Sequence, residues 1–418
     1  MKTSPLFLAL AASVAIAAPA IAQFAPPKPT AEQLERTIRE DQLSDPKCGV
    51  PRNAADDYRP KPMHAWQTHA PRMTPAQNFK VEEVASGLEH PWSMAFLPDG
   101  KMLVTIRGKG LVVVGTDGAV SDILPGTPPI RNAVPLFGMH DAILDRDFAK
   151  TRTIYLAYAT TPDGSRASVG YIASAKLAPD DLSVTDFKVL KEGAMTPRRL
   201  AQAKDGTLLA ITADIITPYK SAQSLASPQG KVLRINTDGS IPKSNPYVGK
   251  TDADPSIYAV GFRDAQGLAF RPGTNQLWTV ENEPRGGDEV DIVKAGKNYG
   301  FPLISYGRDN DGKPLGTGET AGKGLEQPVY FWNPSIAVSG LLFYTGKGLP
   351  GWTGDMFVGG LSGMQLMRLK LKGDRIVGEE KLLRDRCERY RDVKQGPDGL
   401  IYVVTEEENG KILKLAPG

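Results

Sequence analysis

The stretch HPWSMAFLPDGKMLVTIRGKGLVVV, from His90 to Val114, contains three short apolar runs separated by turn residues. The first turn contains Asp99-Gly100 and the second contains Gly108. Runs of β-branched and aliphatic residues closed by such turns predict β-strands joined by hairpins. Comparable runs recur to the C-terminus as RTIYLAYAT, GTLLAITA, KVLRINTDG, QLWTVEN, DMFVGGL and LIYVVTEE. The chain from about residue 80 onward is therefore predicted to be all-β.

Asp-Gly pairs mark five predicted hairpin turns in this region. The pairs are Asp99-Gly100, Asp117-Gly118, Asp205-Gly206, Asp238-Gly239 and Asp398-Gly399. Division of the region into six repeats gives ~56 residues each, comparable to propeller blades of roughly 40–50 residues. We therefore predict a six-bladed β-propeller, although the spacing alone leaves five or seven blades open. A pair of β-sandwiches is the alternative, whereas the lack of helical periodicity argues against a parallel βαβ sheet.

Composition and charge exclude several classes of protein. The 418 residues are 41% hydrophobic and 23% charged, which is typical of a globular chain and not of a disordered one. The formal net charge of +3 comes from 50 Lys and Arg against 47 Asp and Glu, without long basic runs. This balance argues against a nucleic-acid partner. No stretch approaches the ~20 apolar residues of a membrane-spanning helix.

The N-terminus has the pattern of a signal peptide. Lys2 precedes a short apolar run from Leu6 to Ile16, and Ala20-Ile21-Ala22 is a small-x-small cleavage site. We therefore expect residues 1–22 to be removed on export. If the source is bacterial, the mature protein is expected in the periplasm.

Residues 23–78 differ in composition from the rest of the chain. Residues 30–33, Thr-Ala-Glu-Gln, have the form of a capping box and predict one short helix, after which prolines recur. We predict an extended, Pro-rich arm that lies on the propeller of residues 79–418. Export would place the two cysteines, Cys48 and Cys387, in an oxidising compartment. We hypothesise a disulfide between them, with two free buried thiols as the alternative.

Three segments contain the residue types of a functional site. The segment ENEPRGGDE, residues 281–289, combines four acids with two glycines and so offers oxygen ligands to a hard cation such as calcium. Arg389 and Arg391 would lie on the same face of a strand, where two guanidinium groups suit a ligand with several carboxylates. Tyr330 and Trp332 could form the wall of a sugar-sized pocket. A solvated acidic loop and a surface ion-pair ladder are the structural alternatives for the first two segments.

With these motifs in place, the sequence resembles the soluble aldose and glucose/sorbosone dehydrogenases. These are six-bladed propellers that use pyrroloquinoline quinone (PQQ) and calcium. The resemblance covers residues 82–416. It rests on GLEHPWSMAFLPDGKMLVT, GKVLRINTDGSIPKSNP, GFRDAQGLAF, ENEPRGGDEVDIVKAGKNYGFPLISYG, FWNPSIAVSGLLFYTG and RYRDVKQGPDGLIYVVT. So many motifs in the same order imply the same fold.

The resemblance implies roles for individual residues. Arg263, Arg389 and Arg391 match the arginines that bind the carboxylates of the cofactor. Asp214 matches the aspartate that orients the catalytic base.

Two calcium ions are also implied by the resemblance. The backbone carbonyls of Glu283 and Pro284 would hold one ion beside the quinone. The carboxylates of Asp288 and Glu289, with the carbonyl of Tyr299, would hold a second, structural ion.

The sequence departs from the family pattern at the position of the base. The family takes the substrate's hydroxyl proton with a histidine in a segment such as GHYGSR, but this chain has AMTPRR, with Met195 in the place of that histidine. A thioether cannot accept a proton at neutral pH. Leu136 replaces a glutamine of the GQGGLLDV segment, and Asp264 replaces an asparagine. His140, Asp214 and Asp264 are the candidates for a substitute base.

Three functions remain open. The first is a periplasmic PQQ- and calcium-dependent oxidoreductase that oxidises a sugar or a related alcohol or aldehyde. It would pass its electrons to a soluble or membrane-bound acceptor. The second is a quinone-free, calcium-dependent hydrolase or lyase, for which Arg198 and Arg199 would suit an acidic substrate. The third is a non-catalytic carbohydrate-binding propeller. The resemblance also raises a homodimer as an expectation, although no apolar stripe indicates one.

Overall fold

A computed structural model describes Cys48 and residues 58–131, 137–161 and 169–418 of the 418-residue chain. The predicted signal peptide of residues 1–22 lies outside the described residues. So do the predicted short helix and most of the first half of the predicted arm. Of that arm, the structure describes Cys48 and residues 58–78.

The described residues form six antiparallel sheets, which are the blades of a β-propeller. Blade 1 contains β2 (Pro91–Phe96), β3 (Met102–Ile106) and β4 (Gly110–Val114). Blade 2 contains β5 (Gly138–Leu144), β6 (Thr153–Thr160), β7 (Val169–Leu177) and β8 (Val184–Gly193). Blade 3 contains β9 (Pro197–Gln202), β10 (Leu208–Thr212), β11 (Lys231–Ile235) and β12 (Ile257–Val260).

The second half of the ring has the same plan. Blade 4 contains β13 (Ala265–Phe270), β14 (Leu277–Glu281), β15 (Asp288–Val293) and β16 (Tyr330–Trp332). Blade 5 contains β17 (Val338–Phe343), β18 (Met356–Gly360), β19 (Gln365–Lys372) and β20 (Arg375–Leu382). Blade 6 contains β21 (Tyr390–Gln395), β22 (Ile401–Thr405), β23 (Gly410–Pro417) and, from the other end of the chain, β1 (Phe79–Leu88). The described helices are α1 (Phe148–Thr151) and two short 3-10 turns, Pro350–Trp352 and Arg384–Arg386.

The first strand of each blade lies innermost. These inner strands, β2, β5, β9, β13, β17 and β21, each contact the next one around the ring, and β21 contacts β2. The ring is closed by β1, which pairs antiparallel with β23, so that one blade contains both ends of the domain. The predicted six-bladed propeller is therefore confirmed, and the pair of β-sandwiches is excluded.

Hydrophobic cores lie between the faces of neighbouring blades. Strands such as Met102–Ile106 and Leu208–Thr212 are buried at every residue, because both faces of their sheets are covered. This explains why their sequences are nearly continuous apolar runs. One such core joins blades 2 and 3 through Tyr155, Ile172 and Leu208.

The Asp-Gly turns share one geometry. All five glycines have a positive φ, between 76° at Gly399 and 92° at Gly239, which favours glycine over other residues. In each turn the aspartate accepts a hydrogen bond from the backbone N–H two residues later, as in Lys101 N to Asp99 Oδ1 at 3.1 Å. The repeated pair is therefore a self-capped turn, which connects or follows strands of blades 1, 3 and 6.

The described part of the arm is attached to the propeller by a disulfide and by a series of hydrogen bonds. Cys48 and Cys387 form a disulfide with a Cα–Cα distance of 5.1 Å, which confirms the pairing hypothesis. Farther along, the Gln67 side chain donates to Pro328 O at 2.8 Å, and the Gln67 backbone carbonyl accepts from Phe331 N at 2.7 Å. Met73 N donates to Glu379 O at 2.8 Å in the outer strand of blade 5. The arm thus adds contacts along the outer edges of blades 4 and 5.

Candidate functional site

The starts of the six inner strands bring six side chains together around the propeller axis. We call this set the inner rim: Trp92, His140, Arg198, Gln266, Ser339 and Arg391. Each is the second or third residue of its strand, so the repeated architecture places them at the same level. All six are buried. Polar side chains at this density require mutual hydrogen bonds, because unpaired polar groups are costly away from water.

On one side of the inner rim, His140 and Arg198 form a linked set with Asp264, which immediately precedes β13. Arg198 Nε donates to Asp264 Oδ1 at 2.8 Å, and Arg198 Nη1 lies 3.0 Å from His140 Nε2. His140 Nδ1 lies 2.8 Å from Pro197 O, which can only accept a hydrogen bond. Nδ1 must therefore carry a proton, and Nε2 accepts from the guanidinium. The contacts hold His140 as one neutral tautomer.

The other half of the rim is centred on Arg391. Arg391 Nη1 donates to Gln266 Oε1 and Nη2 donates to Glu406 Oε2. Gln266 Nε2 in turn donates to Asp264 Oδ2 at 2.7 Å, which joins the two halves. Ser339 Oγ lies 3.2 Å from Arg391 Nη1. A continuous chain of hydrogen bonds thus runs from His140 to Glu406.

Glu406 is surrounded by three guanidinium groups. Arg107 Nη1 and Arg391 Nη2 form close ion pairs with its two oxygens, and Arg389 Nη2 lies 3.5 Å from Oε2. Burial would raise the pKa of Glu406, but the charges of Arg391, Arg107 and Arg389 outweigh it and hold the pKa below its ordinary value. Burial lowers the pKa of Arg391 to about 10, although Glu406 opposes that shift. Three positive charges around one negative charge leave an excess that favours an anionic ligand.

Trp92 lies between the two halves of the rim. The guanidinium carbon of Arg391 is 3.8 Å from the centre of its ring, and that of Arg198 is 5.4 Å away. The His140 ring is 4.7 Å from the Trp92 ring, at an interplanar angle of 49°. Stacking on an aromatic face fixes the plane of each guanidinium and favours the cation in a dry setting.

The next residue along three inner strands forms a second set that holds the ring together. Arg199 lies 3.4 Å from Asp141 and 3.2 Å from Asp392, and its Nε donates to Gln266 O at 2.8 Å. Asp141 also accepts from Leu200 N at 2.8 Å. Because these partners surround the guanidinium and the residue is only 2% exposed, Arg199 has a structural role and is not exposed to a substrate.

Arg263 and the acidic segment lie next to the rim, at the start of blade 4. Arg263 N donates to Glu281 Oε1, and Arg263 Nη1 donates to Asn282 O at 2.7 Å. Removal from water raises the pKa of Glu281, Glu283 and Glu289 above their ordinary values. Repulsion between neighbouring carboxylates raises them further for Glu281 and Glu289. A buried concentration of acid without matching cations is a setting that a metal ion would stabilise.

The residues predicted to hold calcium are brought together only in part. Both carboxylate oxygens of Asp288 accept hydrogen bonds from the protein. Oδ1 accepts from Ser335 Oγ at 2.7 Å, and Oδ2 accepts from Ile336 N at 3.0 Å. Pro284 and Glu289 are buried near it in sequence, and the Tyr299 ring stacks on Phe262 at 4.6 Å. Within the described part of the chain, no three His, Cys, Asp or Glu side chains are arranged as a metal centre. Backbone carbonyls would therefore have to supply a large share of any calcium ligands.

The structure also places the residues considered for the base. Met195 is fully buried in the core between blades 2 and 3, with Tyr155 and Ile172, and so lies among apolar side chains. Asp214 is 2% exposed and accepts from Ala222 N at 2.8 Å and Ser221 N at 3.0 Å. Its pKa is raised by burial, while these two backbone donors oppose the increase. Leu136 lies outside the described residues.

Tyr330 and Trp332 are not brought to the inner rim. They lie in β16, the outermost strand of blade 4, where Tyr330 Oη donates to Glu379 Oε2 at 2.7 Å and accepts from Ala70 N at 2.9 Å. They line a cavity of about 20 Å³ beside His69. That volume is too small for a sugar, so the structure supports a role in anchoring the arm and not in a sugar pocket.

Several residues of the site have no counterpart among those predicted from the sequence. Trp92, Gln266, Arg107 and Glu406 complete the network, but nothing local marks them. Trp92 stands in an apolar run, and Glu406 stands in a row of three acids at the end of a strand. These residues lie at or near the starts and ends of strands in different blades, and the arrangement of the blades around the axis brings them together.

Comparisons with known proteins add to this geometry. A family model described as Glucose / Sorbosone dehydrogenase matches residues 88–414. Aldose sugar dehydrogenase YliI of Escherichia coli (strain K12) is 38% identical over 349 residues, which are 81% of this chain and 92% of that protein. The apo-form crystal structure of the soluble aldose sugar dehydrogenase from Escherichia coli has a TM-score of 0.77 at 35% identity. It covers 82% of this chain and 100% of that one.

A more distant likeness concerns the fold alone. The PQQ-bound aldose sugar dehydrogenase from Streptomyces coelicolor has a TM-score of 0.64 at 24% identity. It covers 82% of this chain and 99% of that one.

Among the described residues, no helix is long and apolar enough to cross a membrane.

Proposed function

Because the chain belongs to the glucose/sorbosone dehydrogenase family, we propose that it is a PQQ- and calcium-dependent oxidoreductase that oxidises a sugar or a related alcohol or aldehyde. The observation that carries the proposal is the cluster of Arg107, Arg389 and Arg391 around Glu406. Two of these arginines are the ones that the family resemblance assigns to the carboxylates of the cofactor.

Arginine side chains at and beside the inner rim could bind the carboxylates of an anionic quinone. The buried Nε groups of Arg263 and Arg391 have no hydrogen-bond partner among the described residues. Each is a donor that a ligand carboxylate could satisfy, and unsatisfied buried donors are costly. Arg389 is partly exposed, at 38% of its side chain, and so remains accessible to a ligand. The aldose sugar dehydrogenase from Streptomyces coelicolor, which has the same fold, was solved with PQQ bound.

In this proposal the chain's own residues bind, orient and exclude water. Arg263, Arg389 and Arg391 bind the ligand carboxylates, and Trp92 fixes the plane of Arg391 by stacking. The second set around Arg199 fills the space between inner strands, which keeps water from the axis. PQQ, when bound, supplies the acceptor for the two electrons of substrate oxidation. A base must take the hydroxyl proton of the substrate, and Met195 cannot.

Calcium fits this chain less completely than the quinone does. The buried Glu281, Glu283 and Glu289 carry raised pKa values that a divalent cation would relieve. We propose that the carbonyls of Glu283 and Pro284 hold one ion, and that Glu289 and the carbonyl of Tyr299 contribute to another. Asp288 is then a support for the segment, since its oxygens bind Ser335 and backbone N–H groups.

One observation favours a second candidate. The position of the family base is occupied by a methionine inside an apolar core, so the usual proton acceptor is missing. A propeller that no longer carries out redox chemistry would be a hydrolase or lyase, or would bind carbohydrate without turnover. These alternatives predict that the chain binds no quinone.

A dye-linked assay tests the proposed function. Purified protein is reconstituted with PQQ and calcium, and reduction of an artificial electron acceptor is followed with a panel of aldoses, alcohols and aldehydes. We expect reduction with at least one aldose and none when PQQ is omitted. Absence of reduction across the whole panel would remove the oxidoreductase proposal and leave the quinone-free alternatives.

We further propose that residues 1–22 are a signal peptide and that the mature protein, an arm of residues 23–78 and a propeller of residues 79–418, acts in the periplasm. The disulfide between Cys48 and Cys387 supports export, because disulfides persist in oxidising compartments. N-terminal sequencing of protein from a periplasmic fraction tests this, with Gln23 as the expected first residue. We also propose that the enzyme passes its electrons to a soluble or membrane-bound acceptor.

We propose a homodimer as the oligomeric state. Light scattering would then give twice the mass of the chain.

A further inference from the structure

Three of the buried polar residues at the inner ends of the blades form one physical unit. Asp264, which replaces an asparagine of the family pattern, is linked through Arg198 to His140. His140 and Arg198 are 58 residues apart in the chain, and Arg198 and Asp264 are 66 apart, yet Arg198 lies 3.0 Å from His140 and 2.8 Å from Asp264. Arg198 and Asp264 are coupled, because each buried charge requires the other.

The geometry discriminates among the three candidate bases. The lone pair of His140 Nε2 faces a donor on Arg198, and protonation there would place two cations against each other. Asp214 is turned toward the loop after β10, where it caps two backbone N–H groups. Asp264 has carboxylate oxygens with lone pairs beyond the one each gives to Arg198 and Gln266. It also directly follows Arg263, the arginine that the family resemblance assigns to the cofactor carboxylates.

On the basis of the proposed function, we propose that Asp264 is the catalytic residue that accepts the hydroxyl proton of the substrate. The substrate alcohol or hemiacetal loses its O–H proton to the Asp264 carboxylate. PQQ, when bound, would supply the acceptor for the C–H hydrogen and its electron pair, so that the substrate carbon would reach the carbonyl level. Charge and atoms balance, since Asp264 becomes neutral and later returns the proton to water.

Arg198 and His140 are positioning residues in this scheme. Arg198 holds one oxygen of Asp264, and Gln266 holds the other, so the carboxylate cannot rotate. His140 receives Arg198 Nη1 and is itself fixed by Pro197 O, which sets the direction of the guanidinium. A carboxylate held by two donors on opposite oxygens presents its remaining lone pairs in a fixed direction, as a general base requires.

The test compares Asp264→Asn with the double variant Arg198→Ser/Asp264→Asn. The single variant leaves a buried guanidinium without its carboxylate and could fail to fold, whereas the double variant removes both charges and leaves neither one unpaired. Quinone binding is measured by calorimetry and turnover by dye reduction. Asp238→Asn, the same change in an exposed hairpin turn, is the matched control.

We expect the double variant to bind PQQ within about threefold of the unchanged protein while kcat falls by roughly 100-fold or more, the usual contribution of a general base. The control should retain both properties. Turnover within about fivefold of the unchanged protein would overturn the role of Asp264. Loss of quinone binding in both variants would also overturn it, because Asp264 would then hold the ligand and not take the proton. If the unchanged protein itself binds no PQQ, the proposed function fails instead.

Discussion

At the scale of single residues, Arg391 has the most connections in the rim. It contacts Glu406, Gln266 and Trp92, and its Nε is a buried donor without a partner among the described residues. We therefore expect Arg391→Ala to weaken PQQ binding by roughly 100-fold, as loss of a charged hydrogen bond predicts. Calorimetric titration measures the change. Arg146→Ala, an exposed arginine elsewhere on the propeller, should leave binding unchanged. Equal affinity for both variants would refute the carboxylate role.

The coupling of Arg198 and Asp264 is a separate prediction about stability. Their side chains are 1% and 8% exposed. Asp264→Asn leaves one buried charge without its partner, which should cost about 3–5 kcal/mol of unfolding free energy. The double variant Arg198→Ser/Asp264→Asn should recover most of this loss, since replacement of a whole buried pair is often neutral. Urea unfolding of both variants and of Arg198→Ser completes the cycle. Additive effects of the two substitutions would contradict the coupling.

Glu406 makes stability depend on pH. Its pKa in the folded protein is below the ordinary value of 4.5, because Arg391, Arg107 and Arg389 outweigh the effect of burial. The stabilisation is therefore fully present above about pH 4.5 and is lost as the pH falls through the folded-state pKa. Thermal unfolding between pH 3 and 7 should show this decline. In Glu406→Gln the decline should be shallower, and an identical pH profile would show that the three ion pairs do not stabilise the fold.

The strand or turn that contains a residue explains why the positions of some side chains could be predicted and those of others could not. The Asp-Gly pairs are local, so the sequence revealed each turn directly. Arg389 and Arg391 were found because both belong to one short segment. Tyr330 and Trp332 were expected at a sugar pocket, but their strand is outermost in its blade. An aromatic strand does not reveal its order within a sheet, and this order decides what the side chains contact.

The disulfide links the arm to the segment of the propeller just before Arg389. Cys387 stands two residues before Arg389, and its partner Cys48 is 339 residues away in the chain. A cross-link over so long a loop strongly restricts the unfolded chain, so Cys48→Ser should cost about 2–5 kcal/mol. Calorimetric unfolding measures the loss. Reductant should lower the melting temperature of the unchanged protein and leave a Cys48→Ser/Cys387→Ser variant unaffected. If reductant has no effect on the unchanged protein, the cross-link contributes nothing to stability.

For the whole molecule, the fold was predictable because propellers repeat. Short buried strands, recurrent turns and one uninterrupted region from about residue 80 indicated six blades, and the structure has them. The closure of blade 6 by β1 was not visible in the sequence, because β1 pairs with a strand at the other end of the domain. The rim network was hidden for the same reason, since its members belong to different blades. The local sequence pattern predicts the strands and turns of each blade, whereas the contacts between side chains of different blades depend on how the blades are arranged around the ring.

We propose that this ring still holds an anionic quinone together with calcium. Titration of the mature protein with PQQ in a calorimeter, with and without calcium, measures this binding. We expect tight binding with calcium and much weaker binding after calcium is removed. Absence of binding in both conditions would show that the arginines at and beside the inner rim serve a propeller without quinone chemistry.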